Sequence, residues 1–169
     1  MTDRPQARWP GELRSATDDD AAALRRLIGA CFAEYEGCKL DLDGVDAWLS
    51  APASTYAAKG GQLHVLSGKD GQALACVGWA PEGSRRVELK NLYVSAAARR
   101  QGLGRRLVDL VEIAARKRGV DEVVLWSDSR FLDAHRLYEG LGYRPTGQTR
   151  ALDDPSHTVE YGFVKSLGS

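Results

Sequence analysis

Little in this sequence points to disulfides, a bound metal or a membrane. Cysteine occurs three times in 169 residues, as Cys31, Cys38 and Cys76, with no C-x-x-C pair and no histidine at ligand spacing. We therefore expect buried free thiols in a reducing compartment, Cys76 most deeply buried, and no metal site. No run of about 18 apolar residues is present and residues 1–10 are polar, so neither a membrane-spanning helix nor a signal peptide is predicted.

The sequence also lacks an excess of either charge. Lysine and arginine together number 23, and so do aspartate and glutamate, so no net charge attracts the protein to nucleic acid or to a membrane. Any basic site must therefore be local. The hydrophobic fraction of 43% is enough for one sizeable core, and we predict a single cytoplasmic domain over residues 1–169 with a polar lead-in at residues 1–12.

The hydrophobic pattern changes its period along the chain. The predicted helices cover residues 17–32, 45–49 (ending before Pro52), 103–118 and 134–141. The predicted strands cover residues 62–66, 73–79, 87–94, 122–126, 143–149 and 159–164, with Asp70-Gly71 as a hairpin turn. A strand–helix–strand unit such as residues 87–126 requires a parallel pair, whereas the hairpins require antiparallel pairs. We therefore predict an α/β fold in which a mixed sheet carries helices on both faces.

The stretch R-R-Q-G-L-G at residues 99–104 follows a predicted strand and opens a predicted helix. Glycines allow backbone amides to approach a ligand closely, and a helix N-terminus adds unpaired N–H groups, so the pattern favours a phosphate site. Arg99, Arg100, Arg105 and Arg106 supply a local positive charge there. The alternative is an ordinary turn with solvated arginines. The loop is neither a Walker A motif, which needs Gly-Lys-Ser/Thr, nor the G-x-G-x-x-G fingerprint.

Two motifs together give a family resemblance. The pattern R-x-x-G-x-G at residues 99–104 resembles the (Gln/Arg)-x-x-Gly-x-(Gly/Ala) signature of the GCN5-related N-acetyltransferases (GNAT). Downstream, A-H-R-L-Y-E-G-L-G-Y at residues 134–143 resembles the family's A-x-x-L-Y-x-x-x-G-F motif. Both motifs occur in the family's order and spacing, and the resemblance extends over residues 61–164.

The resemblance implies a mostly antiparallel mixed sheet with a central, splayed pair of parallel strands. It also implies acetyl-CoA as acyl donor, with its pantetheine arm lying along the strand in that gap and its pyrophosphate on the amides of the glycine loop. In this chain the cofactor residues would be Leu92, Tyr93, Val94, Arg99, Arg100, Gln101, Gly102, Leu103, Gly104 and Arg105.

The resemblance further implies that Tyr138 is the acid that protonates the leaving thiolate. The acceptor amine would attack the thioester directly in a ternary complex, without a covalent enzyme intermediate. One position departs from the family, because many members have asparagine where this chain has Phe131. Ser129 or Asp133 could replace that contact to the cofactor.

The reaction also benefits from a base. An alkylamine has a pKa near 10.4, so exposing its lone pair at pH 7 costs on the order of 4 kcal/mol. Glu88 is the first candidate, on the strand expected to flank the thioester and matching a glutamate that serves as base in part of the family. The alternative is a surface glutamate paired with Lys90. His64 and Asp128 are weaker candidates, and His64 also fits a structural role.

The acceptor pocket is expected between the N-terminal helices and the last hairpin. Five nearby acids either receive a cationic amine or form a solvated face: Glu34, Glu36, Asp41, Asp43 and Asp46. Five aromatic residues either line the pocket or pack in the core: Tyr35, Trp48, Tyr56, Trp79 and Trp126. The predicted function is N-acetyl transfer to a small-molecule or peptide amine, and homodimers are common in the family. The alternatives are a non-catalytic acetyl-CoA sensor or scaffold, and a protein that binds ATP or a nucleotide sugar.

Overall fold

Seven strands and four helices make up the part of the chain that the computed structural model describes, residues 8–168. The strands are β1 (Glu12–Ser15), β2 (Gln62–Ser67), β3 (Ala73–Glu82), β4 (Arg86–Val94), β5 (Glu122–Asp128), β6 (Arg144–Ala151) and β7 (Val159–Ser166). The helices are α1 (Ala21–Phe32), α2 (Pro52–Ala58), α3 (Leu103–Lys117) and α4 (Leu132–Gly140). Within the described range, no helix is both long and apolar enough to cross a membrane.

The strands form one sheet in the order β1-β2-β3-β4-β5-β7-β6. β4 and β5 pair in parallel, and the other neighbouring pairs are antiparallel. The parallel pair is the product of the crossover through α3, as the strand–helix–strand pattern predicts. The mixed α/β fold with a central parallel pair is therefore confirmed.

Helices cover both faces of the sheet. α1 and α2 close one apolar core, which includes Leu24, Ile28 and Val65, and α3 and α4 close the other. The fully buried Leu107 of α3 belongs to this second core, and the helix packs on β3, β4 and β5. Burying one such leucine stabilises the fold by about 1.5–3 kcal/mol.

The structure corrects two details near the N-terminus. The predicted lead-in is too long, because Glu12 begins β1, which pairs Leu13 with Leu66 on β2. β1 has four residues, too few to show a period, and residues 1–7 of the lead-in lie outside the described range. The predicted helix at residues 45–49 is a 3₁₀ turn, Ala47–Ser50, and the α-helix begins at Pro52. Proline at the first helical position has the right φ and loses no hydrogen bond there.

A bulge and a splay in the middle of the sheet position the site. The parallel pairing of β4 with β5 ends at Leu89 and Leu125, so from Lys90 onwards the β4 edge that faces β5 is unpaired. On its other side β4 pairs with β3, but Gly78 opposes Lys90 and Cys76 opposes Tyr93. One β3 residue therefore faces two β4 residues, which is a β-bulge.

Candidate active site

A cavity of about 370 Å³ opens where β4, the start of α3 and the start of α4 meet. Nine of the ten predicted cofactor residues line it: Leu92, Tyr93, Val94, Arg99, Arg100, Gly102, Leu103, Gly104 and Arg105. Gln101 is exposed and does not line this cavity. The sequence motif thus corresponds to a concave surface at the unpaired edge of β4.

The glycine loop has a backbone suited to an anion. Arg100 has φ +62° and Gly102 has φ +72°, both in the left-handed region. Among the described residues, the backbone amides of residues 100–105 donate to no backbone carbonyl. Free amides in such a loop, followed by a helix N-terminus, form a site for a phosphate group. Gly104 has a different role, because an added Cβ would lie 2.9 Å from Cδ2 of Leu137 on α4.

The four arginines of the loop do not act as one cluster. Arg99 donates to both carboxylate oxygens of Glu34 at 2.7 and 2.6 Å, and its Nε donates to the Val94 carbonyl at 3.0 Å. This bidentate contact raises the pKa of Arg99 and lowers the pKa of Glu34. Arg106 stacks on Trp9, with its Cζ 3.7 Å from the ring centre. Arg100 and Arg105 therefore remain as the exposed cations at the cavity.

A second cavity of about 370 Å³ adjoins the first. The two share Leu92, Tyr93, Phe131 and Ala134, which lie at the gap between the ends of β4 and β5. Glu88 and Tyr138 both line the second cavity. The splay therefore places the predicted base and the predicted acid next to the end of the first cavity.

Tyr138, the predicted acid, is a buried tyrosine in the wall of the second cavity. Its residue exposure is 5%, and its ring packs against Tyr143 and Phe163, with centroids 5.9 and 6.0 Å away. Burial raises the pKa of its hydroxyl, and the group is protonated at neutral pH, as an ordinary tyrosine is. In the described part of the chain, no hydrogen-bond partner is found for that hydroxyl. A proton is therefore held at a cavity wall without an internal acceptor.

Glu88 is the best placed of the three candidate bases. Its side chain is 18% exposed, and one carboxylate oxygen lies 3.5 Å from the Lys90 ammonium. Asp128 lines the same cavity, but Arg130 binds its carboxylate at 2.8 and 3.0 Å and adds a backbone N–H at 2.9 Å. His64 lines neither cavity, and burial lowers the pKa of its imidazole. The predicted pairing of Glu88 with Lys90 is present, but within the cavity wall.

Sequence comparison identifies the family. The profile of the "Acetyltransferase (GNAT) family" matches residues 21–143. The chain belongs to the GNAT family. N-acetyltransferase 8F1 of Rattus norvegicus is 33% identical over 133 residues, which cover 74% of this chain and 56% of the rat protein. The chain thus spans little more than half the length of that relative.

Solved structures share the fold. A GNAT-family acetyltransferase of Staphylococcus aureus Mu50 superposes with a TM-score of 0.80 at 18% identity, over 93% of this chain and 99% of that one. A protein of Salmonella typhimurium, solved with acetyl-CoA as its cofactor, superposes with a TM-score of 0.67 at 20% identity, over 94% of each chain. At these identities the likeness shows the GNAT fold alone.

Phe131, which stands where many GNAT proteins have asparagine, makes apolar contacts. It precedes α4 and lies against the rings of Tyr35 and Phe32, with centroids 4.8 and 6.1 Å away. Asp133, one candidate to replace the asparagine contact, lines the first cavity but pairs with Arg136. Ser129, the other candidate, lines neither cavity. An aromatic wall thus takes the place of the family's amide.

The predicted acceptor residues of this GNAT chain divide between several places. Among the five acids, Asp46 lines the second cavity, and burial raises the pKa of its carboxyl. Glu34 is held by Arg99 instead, and the other three acids line neither cavity. Trp48, Tyr56 and Trp126 line the second cavity, whereas Tyr35 lines the first and Trp79 is buried in the core on the α3 face.

Two features of the second cavity were missed at the level of sequence. Ser156 donates to the Lys39 carbonyl at 3.0 Å and accepts from the Lys39 N–H at 2.8 Å, which joins the loop after α1 to the β6–β7 loop. Arg150 lies 4.5 Å from the ring centre of Trp126 and pairs with Glu160 at 2.7 Å. Lys39 and Ser156 are 117 residues apart, so no local pattern could have revealed their contact.

Proposed function

We propose that this chain transfers the acetyl group of acetyl-CoA to an amine in a ternary complex, without a covalent enzyme intermediate. One observation carries the proposal: the splay of β4 from β5 joins a cavity with free loop amides to a cavity that holds Glu88 and Tyr138. The N-acetyltransferase names of its relatives support the same activity.

The first cavity fits coenzyme A in its chemistry. The free amides from Arg100 to Arg105 and the N-terminus of α3 suit a pyrophosphate, and exposed Arg100 and Arg105 add positive charge. The unpaired β4 edge offers peptide groups to the amides of a pantetheine arm, as a neighbouring strand would. Phe131 and Tyr35 supply an apolar wall to the same cavity.

The residues of the second cavity would move two protons. Acetyl-CoA supplies the acetyl group as a thioester, which the acceptor amine attacks directly. Glu88 would accept the amine's proton, directly or through a water molecule. Backbone N–H groups of β4 would stabilise the negative charge that develops on the carbonyl oxygen. Tyr138 would donate its proton to the departing thiolate.

The acceptor would lie in the second cavity, between Glu88 and the loops joined at Lys39 and Ser156. It is a small-molecule or peptide amine, and Asp46 and the ring of Trp126 offer contacts to a cationic body. The single domain, the homodimer, the cytoplasmic location and a reaction without nucleic acid, membrane or metal stay predictions.

Thermal denaturation with two ligands tests the cofactor assignment. Acetyl-CoA at about 100 times its Kd should stabilise the fold by about 2.7 kcal/mol, which raises Tm by about 5–10 °C for a chain of this size. ATP at the same concentration should leave Tm almost unchanged, because the loop lacks a Walker lysine. Equal stabilisation by ATP would assign the loop to nucleotides in general and contradict the proposal.

A further inference from the structure

The bulge in β4 lies against a buried tyrosine from α2. Tyr56 is 3% exposed, and its ring packs directly over Gly78 of β3. A Cβ added at Gly78 would overlap the ring and hydroxyl of Tyr56. The absence of a side chain at Gly78 thus lets Tyr56 reach across β3 towards β4.

The Tyr56 hydroxyl reaches the bulge itself. It accepts a hydrogen bond of 2.6 Å from Nδ2 of Asn91. Asn91 has φ +55°, a left-handed conformation that costs an L residue free energy, although less for asparagine than for most. The Cys76 thiol donates to the Asn91 carbonyl at 3.2 Å. The strained residue is therefore held through both its side chain and its backbone.

The bulge decides which way the rest of β4 faces. Before it, Val87 and Leu89 are buried in the core under α3. After it, Leu92 and Val94 pack against that same core, whereas Tyr93 packs against the core under α1. Simple alternation from Leu89 would have pointed Tyr93 to the α3 side. A slip of one residue would reverse these side chains and the peptide groups of the unpaired edge.

We propose that Tyr56 and Asn91 are positioning residues for acetyl-CoA: their hydrogen bond holds the bulge and so aims the unpaired edge of β4 at the cofactor. The inference rests on the proposed function, which places the pantetheine arm on that edge. Tyr56 and Asn91 line the second cavity, where the acceptor would lie, but not the first, where the cofactor would lie. Neither residue therefore touches the surface that would hold the pyrophosphate and the pantetheine arm, and we expect Tyr56 to affect acetyl-CoA affinity through β4.

Calorimetry with acetyl-CoA and no acceptor tests the positioning role of Tyr56 directly. Tyr56→Phe keeps the ring over Gly78 and removes the hydroxyl, so Kd should rise about three- to tenfold, the range that one lost hydrogen bond corresponds to. Tyr143→Phe is the matched control, because it also removes a buried tyrosine hydroxyl hydrogen bond, at 3.2 Å to Glu112 of α3 and not to a β4 residue. This control should lower Tm at least as much, because its partner is a carboxylate, and leave Kd unchanged.

A double-mutant cycle gives a second readout. Asn91→Gly tolerates the positive φ but removes the amide, so it should weaken acetyl-CoA binding as Tyr56→Phe does, and the double variant should bind no more weakly than Asn91→Gly alone. Unchanged Kd in Tyr56→Phe, or additive effects in the cycle, would overturn the positioning role. Failure of the unaltered protein to bind acetyl-CoA would instead refute the proposed function.

Discussion

Replacing Gly102 with valine should weaken acetyl-CoA binding while the fold persists. Gly102 precedes α3 with φ +72°, and an added Cβ would meet no atom within 4 Å. Gly119 follows the same helix with φ +70° and equally open surroundings. A valine at either position thus meets the same cost of a left-handed backbone conformation. Of the two, only Gly102 borders the first cavity, where the cofactor would lie.

The cost can be worked from that backbone conformation. A left-handed conformation costs an L residue about 1–2 kcal/mol, which in Gly119→Val should lower Tm by about 2–8 °C. In Gly102→Val the exposed loop can relax when no ligand is bound, so Tm should fall less. Binding must then restore the left-handed conformation, and 1–2 kcal/mol corresponds to a Kd about 5- to 30-fold higher.

For both variants, calorimetry measures the Kd of acetyl-CoA, and circular dichroism measures folding and Tm. We expect a folded Gly102→Val protein with Kd raised about 5- to 30-fold, and a Gly119→Val protein with unchanged Kd. A near-normal Kd in folded Gly102→Val would show that the loop is an ordinary turn. An equal rise of Kd in the Gly119→Val protein would mean that general destabilisation, not loop geometry, weakens acetyl-CoA binding.

Three further predictions concern proton transfer and stability. Tyr138→Phe should lower kcat about 10- to 1000-fold with little change in acetyl-CoA Kd, and an unchanged kcat with chemistry limiting the rate would leave Tyr138 a core residue. Glu88→Gln should move the acidic limb of the pH–rate profile, which an identical profile would contradict. Asp20 accepts hydrogen bonds of 2.8 Å from two Arg14 nitrogens, which lower the pKa of its carboxyl below the ordinary 3.8. The contribution of Asp20 to folding stability is therefore present above pH 3.8, the pKa in the unfolded chain, and is lost as pH falls through the lower pKa of the folded state. Asp20→Asn should lower the free energy of unfolding in urea by about 1–3 kcal/mol at pH 7 and by much less near pH 2. An equal loss at both pH values would refute the charge-based account.

Local patterns made most of the fold predictable, together with the position and backbone conformation of the glycine loop. The Asp70-Gly71 turn, the stripe of α3 and the glycine loop depend on residues close in sequence, and each was found where predicted. The burial order of the cysteines also held, since Cys76 is fully buried. These features arise from backbone conformation and hydrophobic period, which a single segment determines.

The features that sequence reasoning missed depend on distant residues. Glu34 was grouped with the acceptor acids because its partner, Arg99, lies 65 residues away. The bond between Lys39 and Ser156 spans 117 residues. The bulge at Asn91 depends on Gly78 leaving room for Tyr56, a condition that no pattern within β4 reveals. Tertiary packing, not local propensity, decides such contacts.

Amine-dependent release of free thiol from acetyl-CoA tests the central claim most directly. The unaltered protein, incubated with acetyl-CoA and a panel of polyamines, aminoglycosides, amino acids and lysine peptides, should release thiol with at least one amine and form the acetylated amine in equal amount. Tyr138→Phe should release thiol far more slowly with the same amine. Tight binding of acetyl-CoA without turnover of any amine would contradict the account and identify a non-catalytic acetyl-CoA-binding module.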